Sequence, residues 1–130
     1  MIFQFFAFIL MICATTIFSK TMELSALEID SSSFIKKVSN SYTNKYCNAI
    51  AFGLSKESAM KFSLEENQKV YQKKKEMKNL NKELLAEEIA ISVVEKCGYP
   101  ISLFGEKGIQ EFKNYYLLMD NELSQKIKNE

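Results

Sequence analysis

Few side chains in this sequence could do covalent chemistry. Ser58-Ala59-Met60-Lys61 and Ser33-Phe34-Ile35-Lys36 both fit the S-x-x-K spacing. In acyl-transfer enzymes that spacing sets a serine one helical turn from a lysine, whose amine can activate the hydroxyl. Thirteen serines and 17 lysines in 130 residues produce about two such matches by chance, and two are present. The partner motifs S-D-N and K-T-G are absent, so an acyl enzyme built on Ser58 and Lys61 is not the expectation. Glu83, Glu87, Glu88 and Glu95 form a second cluster. Diiron bundles pair inward glutamates with Glu-x-x-His, and the chain has no histidine. These carboxylates therefore read as a solvated helix face opposite Leu85 and Ile89. Gly105-Glu106-Lys107-Gly108 lacks the spacing and the preceding strand of a phosphate loop.

The missing residue types exclude more than the motifs do. All 17 basic residues are lysine, and arginine, histidine and tryptophan are absent. Without arginine there is no planar fork for bidentate grip of phosphate or guanine. With a formal net charge of only +1, nucleic acid is not an expected partner. Without histidine the usual general base and the commonest zinc ligand are gone. No cofactor and no metal site are expected.

What charge there is has been distributed unevenly. Residues 56–82 hold eight lysines and four glutamates, whereas residues 83–130 hold five lysines and nine acids. Lys69, Lys73, Lys74, Lys75, Lys78 and Lys82 could meet anionic lipid headgroups or an acidic protein partner. The alternatives are a solubilising face or pairing with the chain's own acidic half.

Residues 2–18 are apolar apart from Gln4, Thr15 and Thr16 and carry no charged side chain. As a helix they would span roughly 26 Å, slightly short of a hydrocarbon core. Small residues follow, so residues 1–19 read as a signal peptide, or alternatively as an uncleaved membrane anchor. The n-region has no Lys or Arg, and Ile12 before Cys13 does not suit lipidation. Export to a periplasm, a lumen or the outside is the expected destination. Two cysteines lie beyond the leader, Cys47 and Cys97. An even count in an exported chain favours a disulfide, with two separate buried thiols as the alternative. A zinc site would be under-coordinated with two thiolates and no histidine.

The elements that would position these residues are helical. Residues 20–33 form a polar, serine-rich stretch, read as a cleavage region and linker. A helix is expected over 34–52, with Ile35, Val38, Tyr42, Tyr46, Ala49 and Ile50 inward. Ser33 would cap its start and Gly53 would take the left-handed position after its end. A second helix should begin after Ser55 and bury Ala59, Met60, Leu64 and Tyr71. It either continues into the lysine run or yields to a solvated connector there. The clearest pattern, Leu85-Ile89-Val93-Cys97, predicts a third helix over 82–97, stopped by Gly98 and Pro100. In the turn region that follows, Ile101, Leu103 and Phe104 are expected against the core. A last helix is predicted over 107–121, with Ile109, Phe112, Tyr116, Met119 and Leu123 inward. Residues 124–130 are expected to form a frayed tail. The predicted fold is all-α: a small bundle of about four helices over 34–123, after the N-terminal hydrophobic helix, with one disulfide.

Three stretches have a further association: Tyr46-Cys47-Asn48-Ala49-Ile50, Gly53-Leu54-Ser55-Lys56-Glu57-Ser58-Ala59 and Val94-Glu95-Lys96-Cys97-Gly98. Over roughly residues 34–100 the chain resembles small exported, uncharacterised proteins of marine picocyanobacteria. The resemblance implies an exported, cysteine-paired helical domain and brings no catalytic motif. The expectation for function is a non-catalytic binding or structural accessory protein at a membrane or membrane complex. The alternative is a carrier of a small apolar ligand or lipid, using a cleft between helices.

Overall fold

The computed structural model describes residues 31–129, so the expected leader over 1–19 and most of the expected linker over 20–33 lie outside the described residues. The described chain is α-helical, with four long helices and no strand. α1 covers residues 31–51, α2 Lys56–Tyr71, α3 Lys82–Cys97 and α4 Gly105–Lys128. Residues from Phe34 onward form one compact unit.

Each boundary has a local cause. Residues 31–33 are helical, so Ser33 lies inside α1 and does not cap it; serine is only mildly disfavoured within a helix. At the other end Gly53 adopts φ +89°. Its N–H donates to the Ile50 carbonyl at 2.9 Å and the Leu54 N–H to the Ala49 carbonyl at 3.0 Å. These are the paired bonds of a Schellman cap, which needs the left-handed conformation glycine takes most easily. Ser55 caps α2 by accepting from the Ser58 N–H. Asn81 caps α3 by accepting from the N–H groups of Glu83 and Leu84.

α3 ends at Cys97, but Gly98 is not its left-handed terminator. It stays right-handed and leads into a 3-10 turn, Tyr99–Ile101; the left-handed residue is Ser102, at φ 57°. Gly98 is needed for a different reason. A Cβ there would lie 2.4 Å from the Leu103 carbonyl oxygen, whose own N–H returns to the Gly98 carbonyl. Ile101 and Leu103 are buried as expected, whereas Phe104 is exposed. Ser102 lies between the two buried residues, and the chain turns outward only after Leu103, at the N-cap of α4.

The lysine-rich stretch resolves into a connector. α2 stops at Tyr71, and a 3-10 turn with no buried residue, Lys75–Asn79, leads to α3. α4 is longer than the spacing suggested. It runs to Lys128, past the expected end near residue 121 and through most of the expected tail. Leu123 packs against the core, and Ile127 lines a groove beside it, so the apolar face of α4 simply continues.

Contacts along the helices set their directions. Ser39 meets Ser92, Asn44 meets Lys96, and Cys47 is bonded to Cys97; both numbers rise together, so α1 and α3 run parallel. Tyr42 meets Met60, Val38 meets Asn67, and Phe34 meets Tyr71, so α1 and α2 are antiparallel. Tyr42 packs on Tyr116 and Tyr46 on Phe112, which makes α4 antiparallel to α1 also. The result is an up-down-up-down bundle with α1 touching all three partners. The disulfide, at a Cα–Cα distance of 5.7 Å, ties the C-terminal ends of α1 and α3.

The core is aromatic at its centre. Tyr42 and Tyr46 stack at 6.0 Å between ring centroids, and Tyr116 and Phe112 meet them edge-on at 5.2 and 5.1 Å. Ile89 and Val93 complete this layer, both fully buried. Burial raises the phenol pKa of Tyr42, Tyr46 and Tyr116 well above its ordinary value. The folded chain therefore keeps protons that the unfolded chain releases above about pH 10. Their stabilising contribution is complete below that pH and is lost as pH rises beyond it. An alkaline titration followed by tyrosinate absorbance and circular dichroism should show these three phenols ionising only together with loss of helicity. Ionisation of all six tyrosines in a still-folded protein would refute it.

Candidate functional site

The six lysines singled out from the sequence do not act as one group. Lys69 donates to Glu66 one turn away at 2.6 Å, and that hydrogen bond holds the Lys69 ammonium above its usual pKa. Lys82 reaches across to Asp120 of α4 at 2.8 Å. The other four, Lys73, Lys74, Lys75 and Lys78, are exposed on the connector. Among the described residues none of the four joins an ion pair. The helix ends around them explain the concentration: α2 gives out at Tyr71, and the connector buries nothing. Its lysines are left in solvent at the end of the bundle opposite the disulfide.

Two of the four α3 glutamates serve the fold. Glu87 and Glu83 hold Lys113 of α4 at 3.1 and 3.5 Å, and the bond to Glu87 raises the Lys113 pKa. This pins α3 to α4 and keeps the acidic face occupied. Ser58 is engaged at the start of α2: its N–H donates to the Ser55 hydroxyl, and the two hydroxyls lie 3.0 Å apart. Among the described residues no group of three or more acidic or cysteine side chains could hold a metal ion.

Beside the basic connector lies a feature invisible in the sequence. A groove of about 320 Å³ opens between α1, α2, the connector, α3 and α4. Val38, Leu64, Tyr71, Leu85 and Tyr116 line it, and all five are buried core residues. Met77 and Leu80 of the connector flank it, and Ile127 closes it from α4. Charge is confined to the rim, at Lys78, Lys82, Lys128 and Asp120. Lys78 and Lys82 were among the sequence candidates. Lys128 and Asp120 were not: Lys128 lies beyond the expected end of α4 near residue 121, and Asp120 carried no signal beyond the acidic composition of residues 83–130. Ile127, four residues after Leu123, was the overlooked signal for the longer helix.

Two other surfaces are weaker candidates. A hollow of about 350 Å³ is lined by Tyr46, Phe112, Tyr115 and Leu103, but Glu57, Glu111 and Lys56 give it a mixed rim. At the disulfide end Phe52, Leu54, Tyr99 and Phe104 are exposed, with Tyr99 and Phe104 edge-on at 6.1 Å. No helix among the described residues is long and apolar enough to cross a membrane. In comparisons with known proteins, no family model, no curated protein and no solved structure matches the chain.

Proposed function

We propose that this chain is an exported, non-catalytic binding protein that works against an anionic membrane surface, as a free or leader-anchored accessory. The observation that carries the reading is the cluster Lys73, Lys74, Lys75 and Lys78, exposed on one connector at one end of the bundle. A solubilising role would be served by scattered charges; four cations within six residues make a local positive surface. The apolar 2–18 segment and the Cys47–Cys97 disulfide are both compatible with export. So is the resemblance to small exported proteins.

Sedimentation with phosphatidylglycerol vesicles tests this. Binding is expected at low salt, weaker at high salt, and absent with phosphatidylcholine alone. The triple substitution K73A/K74A/K75A should lower affinity on the order of a hundredfold. Failure to bind phosphatidylglycerol at low salt sinks the membrane reading.

A second reading, a small apolar-ligand carrier, is favoured by a separate observation: the groove lined by Val38, Leu64, Tyr71, Leu85 and Tyr116. At about 320 Å³ it lies near the lower end of the roughly 300–1,000 Å³ typical of small-molecule sites.

A further inference from the structure

We propose that the groove holds a free single-chain anionic amphiphile, a fatty-acid-like molecule, with its tail on the core side chains and its head between Lys78 and Lys128. This rests on the carrier reading and names its ligand.

Two features of the groove point to this chemistry. The first is the division between floor and rim. Leu64 and Tyr116 come from facing helices, and Leu85 and Val38 from the other two; each is buried, and each still lines the groove. Gln68, Gln72 and Ser124 also line it, but the floor offers no ionisable group other than tyrosine phenols. Its buried amide, Asn67, is already bonded to Ser41, Lys45 and the Val38 carbonyl, so the floor suits a hydrocarbon tail and would reject a charged one. The second is the sign of the rim. Of its four charged residues, Lys82 and Asp120 already satisfy each other at 2.8 Å. That leaves Lys78 and Lys128, both exposed and both cationic. Among the described residues neither joins an ion pair. A carboxylate head would meet two ammonium groups at the rim, whereas a cationic head would be repelled.

Size and access narrow the ligand further. A volume of about 320 Å³ fits one tail of modest length and is too small for a two-tailed membrane lipid. Entry has a structural route. The 3-10 turn Lys75–Asn79 contributes no fully buried residue to the core; its own Met77 and the following Leu80 rest partly on it. Segments with so few buried contacts open at low cost compared with the helices around them.

The test is calorimetric titration of the purified, disulfide-intact protein with three twelve-carbon probes below their micelle-forming concentrations: dodecanoate, dodecyltrimethylammonium and dodecanol. Dodecanoate should bind one per chain, at least about tenfold tighter than dodecyltrimethylammonium. The double reversal K78E/K128E alters only exposed side chains, and circular dichroism verifies its helicity. It should weaken dodecanoate about tenfold or more and leave dodecanol unchanged. Equal affinity for anionic and cationic probes, indifference to the reversal, or no binding would each overturn the proposal. Dimerisation that excludes dodecanoate would also overturn it, in favour of a second copy as the occupant. Failure here is separable from failure at the membrane, because the probes are monomeric and Lys73, Lys74 and Lys75 are untouched.

Discussion

Replacing Cys47 and Cys97 together by alanine is expected to cost about 4 kcal/mol of folding stability, the largest effect of any covalent change in the molecule. The two cysteines are 50 residues apart in sequence. A crosslink over that separation removes many extended conformations from the unfolded ensemble, and the chain-entropy estimate follows from the loop length. The folded state adds a reason for full expression of the effect. The bond joins parallel helices that have no direct chain connection, at a Cα–Cα distance of 5.7 Å. Besides the bond, the polar ties between α1 and α3 are the Ser39–Ser92 contact at 3.3 Å and the Lys96–Asn44 hydrogen bond. Neither is expected to contribute more than about 1 kcal/mol. Small domains have total stabilities of about 5–15 kcal/mol, so the reduced protein should be marginal. Urea unfolding of the double variant should show the extrapolated stability falling by this amount, with the midpoint lowered in proportion to the reciprocal of the m-value. Wild-type protein with reductant should fall to the same level. A midpoint unchanged within error in both cases would mean that packing alone holds α1 to α3.

The parts of this architecture that could be read from residue order are those set within a few residues of chain. The four-residue spacing of Leu85, Ile89, Val93 and Cys97 defines α3, and Asn81 caps its start. Gly53 was legible because a left-handed position just past an apolar periodicity has few other solutions. Gly98 and Pro100 likewise mark the end of α3 at Cys97. The reversal that follows is at Ser102, a residue with no particular claim to the left-handed conformation, and Phe104 beyond it is exposed instead of packed on the core. α4 was cut short because Asp120, Asn121, Glu122, Ser124 and Gln125 dilute the apolar signal after Met119, although Leu123 and Ile127 carry it on.

The candidate site divides in the same way. Lysine density on the connector is a property of sequence. Which lysines are free is not, because Lys82 finds its partner 38 residues away at Asp120. The groove could not be foreseen at all, since its floor is assembled from four helices. Residues that periodicity assigns to the core, such as Leu64 and Tyr116, line a cavity in one direction while packing inward in another. Hydrophobic pattern reports burial; it does not report the space left between buried surfaces.

Tyr42→Ala should be the most damaging single substitution in the core, at about 3–5 kcal/mol by analogy with other large aromatic truncations. Tyr42 is fully buried, and its side chain, ring and hydroxyl together, joins three helices. It stacks on Tyr46 within α1, meets Tyr116 of α4 edge-on, and directs its hydroxyl to Met60 of α2. Removing it opens a cavity whose walls belong to different helices, so no one helix can move to fill it without losing contacts elsewhere. The companion Tyr42→Phe separates ring from hydroxyl. The hydroxyl donates to the Met60 sulfur at 2.7 Å, and a thioether is a weak acceptor that needs no partner when buried. Loss of the hydroxyl should therefore cost no more than about 1 kcal/mol. Denaturant unfolding of both variants checks the ratio. If Tyr42→Phe proves as costly as Tyr42→Ala, the bundle depends on its buried polar contact. If the ring dominates, the aromatic layer is what holds α4 against α1, and with it the Tyr116 wall of the groove.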